Sequence, residues 1–287
     1  MVEPVENIVP TGDTWDIGRK VAKRLEAAGY QAYFVGGSLR DFLLGRPVHD
    51  IDIATNARPE NVLSIFPKAI PTGLQHGTVT VIVDGHAFEI TTFRIEAGYH
   101  AHRWPEVAFI DDLRGDLSRR DFTINAMALS PDGRWFDPFN GQADLRRRLI
   151  RAVGVPEQRF SEDALRMLRA VRFAAQLDFQ IEPDTWAAIT SHASLLSAIS
   201  MERIQQELQR IMLSDRPDIG MRLLQDSTLT KYIAPLATLA DGPSERFHGL
   251  RHVKDAASRW AMLFLTPPPK REDVAKSAQL AATKLRQ

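Results

Sequence analysis

The chain has 287 residues, 44% of them hydrophobic, and its 36 basic and 36 acidic side chains leave a formal net charge of zero. That length has room for two or three domains with packed cores, and the balanced charge argues against a uniformly basic nucleic-acid coat. The absence of cysteine excludes disulfides and thiolate metal sites.

The first residues, Met1-Val2-Glu3-Pro4-Val5-Glu6, have neither the basic nor the apolar region of a secretory leader. No stretch approaches the roughly 18 apolar residues of a membrane span. A cytoplasmic location without membrane attachment is the expectation. Ile17, Val21, Leu25 and Ala28 recur at helical spacing and Gly29 stops the run, which predicts a helix over 13–28. Strands are predicted at 31–36 and 50–55, and a short helix runs from Pro59 to near Phe66. Residues 78–83 and 87–93 flank Asp84-Gly85 as a hairpin. Residues 94–106, with Tyr99, Arg103 and Pro105, read as a loop. A strand near 107–110 and a helix over roughly 116–129 follow.

After Pro156 the apolar spacing turns helical. Helices are predicted near 161–177, 184–191, 201–213, 218–226 and 251–264, with a further basic helix over 272–286. Pro183, Pro217, Pro235 and Pro243 mark the breaks. The expected fold class is α+β: a mixed sheet with helices up to about residue 152, then an all-helical remainder. Basic charge gathers at Arg146, Arg147, Arg148 and Arg151. It gathers again from Arg246 onward, where nine Lys/Arg stand against three acids (255, 272 and 273). Solvated helix faces and phosphate-backbone contacts both account for such clusters.

Four stretches carry candidate chemistry. The apolar run Ala32-Tyr33-Phe34-Val35 ends in Gly36-Gly37-Ser38-Leu39-Arg40-Asp41. Glycine lets backbone N–H groups approach an anion with no Cβ in the way. Nine residues on, Asp50 and Asp52 stand at i and i+2, a spacing that puts both carboxylates on one strand face. A phosphate-accepting turn beside two carboxylates suits metal-assisted transfer from a nucleoside triphosphate, although exposed strand acids show the same spacing. Glu89 alternates with Phe88 and Ile90 and adds a third carboxylate if its strand neighbours the first two. Arg119-Arg120-Asp121, placed at a helix start, suits phosphate and sugar contacts, or else a charged first turn with Asp121 as cap. Asp137-Pro138-Phe139-Asn140-Gly141 reads as a structural turn into a helix. In Glu162-Asp163-Ala164-Leu165-Arg166, a carboxylate and a guanidinium three apart match the amino donor and ring acceptor shared by cytosine and adenine. They equally fit an intrahelical ion pair. Arg166, Arg169 and Arg172 form one stripe.

The ordered strings GGSLRDFLLG, DIDIAT, QHGTV, EITTFR, RRDFTINAMAL, DPFNGQADL, IRAVG and EDALRMLRAVRF together resemble the class II tRNA nucleotidyltransferase and poly(A) polymerase family. The resemblance is strong from about residue 30 to 173 and weaker to about 217. It implies a polymerase-β-like nucleotidyltransferase head over 1–152. A helical neck with the nucleotide-selecting helix would follow over 153–217, and an RNA-binding helical body over 218–287. It implies that Asp50 and Asp52 hold Mg2+ and that Glu89 is a further catalytic carboxylate. Gly37 and Arg40 match triphosphate contacts, and Arg120 and Asp121 match phosphate and ribose contacts. Asp163 and Arg166 match a protein template for CTP and ATP, with Arg169 and Arg172 as further nucleotide contacts. Gly36, Ser38, Asn125 and Glu162 complete the candidate set from the same blocks. The segment 94–106 resembles the family's flexible loop, with His100-Ala101-His102 where an acid often stands. Leu263-Phe264-Leu265 replaces the His-Asp pair that some members carry, so no phosphohydrolase site is expected. The implied activity is addition of CMP and AMP to the tRNA 3′ end from CTP and ATP. A-only or CC-only addition and polyadenylation are alternatives within the family, and a non-catalytic RNA-binding module is one outside it. No oligomeric state is implied.

Overall fold

The computed structural model describes residues 8–100 and 104–264. They form two compact units. One comprises the chain up to His100, Trp104–Arg147 and Arg151–Gly154; the other comprises Arg148–Ile150 and the chain from Val155 on.

In the first unit, α1 (Asp13–Ala27) buries Trp15, Ile17, Val21, Ala22 and Leu25, the face its apolar spacing marks. There follow β1 (Ala32–Val35), α2 (Gly37–Leu43), β2 (Asp52–Thr55), α3 (Pro59–Ile65), β3 (Ala69–Gly73), β4 (Thr78–Val83) and β5 (His86–Thr92). Asp84 and Gly85 both have positive φ, 48° and 82°, which gives the β4–β5 turn the twist that a two-residue hairpin needs. Next come β6 (Arg94–His100), β7 (Trp104–Phe109), α4 (Leu113–Ser118), β8 (Ala128–Leu129), β9 (Trp135–Phe136) and α5 (Gly141–Arg147). Seven strands make one sheet in the order β3-β4-β5-β2-β1-β8-β9. Within it β2 and β5 run parallel and the other neighbours antiparallel. Val35 of β1, Ala54 of β2 and Ala128 of β8 pack with Phe93, Leu113 and Leu117 into one buried cluster.

The second unit holds β10 (Leu149–Ile150), α6 (Pro156–Glu162), α7 (Leu165–Leu177), β11 (Gln180–Ile181), α8 (Pro183–His192), α9 (Met201–Met212), α10 (Pro217–Asp226) and α11 (Ala256–Phe264), joined by 3-10 turns. The short β10 and β11 pair in parallel, and α7 packs against α9 and α10. The mixed-sheet part and the helical part are as the composition of the two halves predicts. Among the described residues no helix is long and apolar enough to cross a membrane.

Three elements differ from the sequence expectation. The described part of 94–106 is strand, because β6 and β7 pair from Arg94↔Phe109 inward. The predicted helix over 116–129 ends at Ser118. At Phe122 the chain is extended (φ −129°, ψ 150°), and it bonds across to the 151–153 segment through Thr123 N–H to the Arg151 carbonyl and Val153 N–H to the Asp121 carbonyl. Long-range pairing there outweighs helical propensity. The predicted helix over 161–177 is two, broken at Asp163 (φ −138°, ψ 101°). The Asp163 carboxylate accepts the Leu165 N–H at 3.1 Å and so opens the second helix. The predicted helix over 272–286, Arg103 and the side chain of Tyr99 lie outside the described residues.

Candidate active site

The head site starts at the turn between β1 and α2. Gly36 has φ 80°, a conformation that disfavours side chains, and a Cβ there would lie 3.3 Å from both Arg120 Nη1 and Asp52 Oδ2. The backbone therefore favours glycine, and a side chain there would also press on Arg120 and Asp52. Ser38 Oγ donates to the Val35 carbonyl at 3.1 Å and fastens the turn to the strand. Arg40 donates to both oxygens of Asp41 at 3.0 and 2.7 Å, and its Nη1 reaches Asn125 Oδ1 at 2.7 Å. Asn125 Nδ2 in turn donates to Asp121 Oδ1 at 3.1 Å, which also accepts the Phe122 N–H at 2.8 Å. These bonds join the glycine turn to the segment after α4.

Sheet register supplies the carboxylates. Asp52, the first residue of β2, lies opposite Glu89 of β5, and paired residues in adjacent strands project to the same face. Glu89 is exposed, Asp52 half-buried. Asp50 precedes the strand and is exposed, so the two aspartates share a strand end instead of a strand face. Burial pushes the Asp52 carboxyl up to about 6; the Arg120 guanidinium pulls it back, and the Glu89 and Asp50 carboxylates add to the rise. A carboxylate beside two others, with one cation opposing them, favours a bound proton or metal.

The donor set fits magnesium. Among the described residues no three His, Cys, Asp or Glu side chains converge on one point. Magnesium does not require it, since it typically takes one or two carboxylates and completes its shell with water and substrate phosphates. Asp50 and Asp52 offer carboxylate oxygens of the kind such a site uses.

The second unit carries the other candidates around the break between α6 and α7. Arg166 Nη1 donates to Glu162 Oε2 at 2.9 Å, and Glu162 also accepts from Arg159. Asp163 Oδ2 takes Arg203 Nη2 of α9 at 2.9 Å. The acid and base that the sequence pairs with each other thus have separate partners. Arg172 is buried, ion-paired to Glu207 of α9 at 2.6 Å, with its guanidinium 4.1 Å from the centre of the Phe173 ring. Arg169 lies farther over the same ring, at 5.6 Å.

Sequence reasoning missed Arg203 and Glu207. A signal for Glu207 was present: it falls on the Ile204, Leu208, Ile211 stripe of α9, and an acid at a core position of an amphipathic helix needs a cationic partner. Asp116 and Glu96 in the head were missed as well.

Residues 32–151 match the poly A polymerase head domain, and 178–240 match the probable RNA and SrmB-binding site of polymerase A. The CCA-adding enzyme of Levilactobacillus brevis is 49% identical over 226 residues, 78% of this chain and 57% of that protein. That of Lactobacillus delbrueckii subsp. bulgaricus is 56% identical over 194 residues, 67% of this chain and 49% of that protein. Among solved structures, the Bacillus stearothermophilus CCA-adding enzyme in complex with CTP superposes with a TM-score of 0.80 at 41% identity, over 88% of this chain and 62% of that one. The chain spans less than two thirds of the length of each of these relatives. By matched blocks, sheet and helical order, it belongs to the class II tRNA nucleotidyltransferase and poly(A) polymerase family.

Proposed function

We propose that this chain transfers CMP and AMP from CTP and ATP to the 3′ end of tRNA, building the CCA sequence, with Mg2+ as cofactor. The observation that carries the reading is the meeting of Asp52, Glu89 and Arg120 at a turn whose Gly36 has a positive φ and lies directly beneath the Arg120 and Asp52 side chains. Such a site offers carboxylate oxygens to a cation and a guanidinium to phosphate in one place. Relatives at 49% and 56% identity that bear the name CCA-adding enzyme favour full CCA addition over A-only, CC-only or poly(A) addition.

In this mechanism Gly36 and Gly37 admit the triphosphate close to the backbone, Ser38 holds their turn, and Arg40 and Arg120 offset its charge. Asp121 and Asn125 orient the ribose. Asp50 and Asp52, with Glu89 beside them, would hold magnesium, which would supply Lewis-acid stabilisation of charge growing on the reacting oxygens. The terminal ribose hydroxyl attacks the α-phosphate and pyrophosphate departs in line. Asp163 accepts from the exocyclic amino group of the incoming base and Arg166 donates to its ring nitrogen, a pattern that cytosine and adenine share and that uracil and guanine reverse. Each then exchanges a protein partner for the base: Asp163 gives up Arg203 and Arg166 gives up Glu162. Arg169 extends the nucleotide-facing set, and Arg172, engaged with Glu207, holds its helix against α9. Residues 1–152 act as the catalytic head, 153–217 as the neck and 218–287 as an RNA-binding body, working in the cytoplasm.

The test offers three tRNAs, ending before the first C, after one C and after two, with CTP and ATP separately in magnesium. CTP is expected to extend the first two and ATP the third. A folded chain that extends none refutes the proposal; ATP addition without CTP addition reduces it to A-adding.

A further inference from the structure

Asp116 of α4 is 1% exposed, yet it is charged and saturated with donors. Its Oδ1 accepts Arg119 Nε at 3.0 Å and the Arg94 N–H at 3.3 Å, and its Oδ2 accepts Arg120 Nη2 at 3.2 Å. Burial pushes its carboxyl up, but the guanidiniums of Arg120 and Arg119 together hold it below the ordinary carboxylate range. Arg119 also reaches Glu96 Oε1 at 3.2 Å, and the same oxygen accepts Arg94 Nε at 3.2 Å. Arg94 donates in addition to the His76 carbonyl. A chain of alternating charges thus runs from the base of β6 through Arg119 and Asp116 to Arg120.

At its far end, Arg120 Nη1 stands over Gly36 together with Asp52 Oδ2. The Arg120 guanidinium offsets part of the burial-driven rise in the Asp52 carboxyl pKa, yet among the described residues no ion pair joins them. The buried Arg120 Nε has no hydrogen-bond partner. Arg120 is aimed by its bond to Asp116.

We propose that Asp116 is a positioning residue: it tethers Arg120 through its other guanidinium nitrogen, so that the guanidinium is offered to the triphosphate and does not close onto Asp52. The inference rests on the nucleotidyl-transfer reading of the same site. With the tether gone, Arg120 and Asp52 pair, and both the cation and the triphosphate must compete with that pair for their ligands. Glu96 and Arg119 brace Asp116 against following Arg120.

The experiment compares Asp116→Asn, Arg120→Ala and the double variant in CTP incorporation. Asp116→Asn is expected to raise the KM for CTP and the half-saturating magnesium concentration each by about tenfold, while kcat at saturation of both falls far less. In the double variant the effects are expected to be non-additive, with Asp116→Asn adding little once Arg120 is absent. Additive effects, or a fall in kcat with unchanged KM and magnesium dependence, overturn the proposal. If Asp116→Asn unfolds at the assay temperature, Asp116→Glu replaces it, keeping the charge but displacing Arg120; loss of fold in both assigns Asp116 to stability alone and also overturns it. An inactive wild-type chain fails the nucleotidyl-transfer reading instead, and that result is visible in the control before any variant is compared.

Discussion

Asp52→Asn separates the folding cost of the site from its chemistry. In the metal-free protein Asp52 titrates at about 6 against an ordinary 3.8, chiefly because it is buried. A rise of that size corresponds to about 3 kcal/mol, an upper bound for a half-buried group. The folded state binds this proton more tightly than the unfolded chain does. The stabilisation is therefore fully present below the unfolded value, 3.8, and is lost as pH rises through the folded value, about 6. At neutral pH the wild-type chain carries an uncompensated carboxylate that asparagine lacks. Urea unfolding in EDTA should then find Asp52→Asn more stable than wild type by about 1–3 kcal/mol near pH 7, with the gap closing below about pH 4. Adding magnesium should reverse the order near pH 7, because the cation takes the proton's place in wild type only, and should have little effect below about pH 5. Asp52→Asn equal to or less stable than wild type in EDTA at neutral pH, or gaining as much from magnesium, would refute this account of the carboxylate cluster.

Other substitutions probe the remaining parts. Gly36→Ala forces a side chain into φ 80° within 3.3 Å of Arg120 and Asp52; CTP turnover should fall by roughly 100-fold, and urea unfolding should show a loss of about 1–3 kcal/mol from the strained backbone. Arg166→Ala should blur nucleotide choice more than it slows the reaction, measured as the CTP to UTP ratio of kcat/KM; preserved discrimination would place base selection elsewhere. Arg259 donates to the carbonyls of Leu250, Val253, Met212 and Ser214 from a buried position. Arg259→Ala removes a donor from each of these carbonyls, of which Leu250 keeps the Val253 N–H, and should lower stability by about 3 kcal/mol in urea unfolding, with no change in nucleotide preference.

The residues proposed to touch substrate and metal were legible, and those that hold them in place mostly were not. Gly36 and Gly37 announce themselves because two glycines closing an apolar strand mark a backbone that something must approach closely, and alternation turned Glu89 away from Phe88 and Ile90. Register then joined it to Asp52, which alternation cannot do, since strand order is a property of the whole sheet. Two of the three misplaced elements share one cause, partners far away in sequence. Residues 116–129 have helical composition, yet the chain leaves the helix after Ser118 to pair with residues some thirty positions later. The break at Asp163 depends on a side-chain cap whose carboxylate also meets Arg203, forty residues away.

The same distinction explains why Asp116 and Glu207 escaped notice. Each is an acid within a stretch whose other features are more conspicuous, and each matters through an arginine that the sequence had already marked: Arg120 for the first, Arg172 for the second. An arginine in a phosphate or base site has to be restrained, because a free guanidinium close to catalytic carboxylates pairs with them. The restraint is a second carboxylate, buried and aimed from another side. Asp116 restrains Arg120 in the head, and Glu207 restrains Arg172 in the helical unit. Where a sequence presents a candidate substrate-binding arginine beside metal-binding acids, a nearby acid at a core position is therefore the residue to seek next. Here that search would have found Asp116, whose i, i+4 spacing to Arg120 was visible from the start.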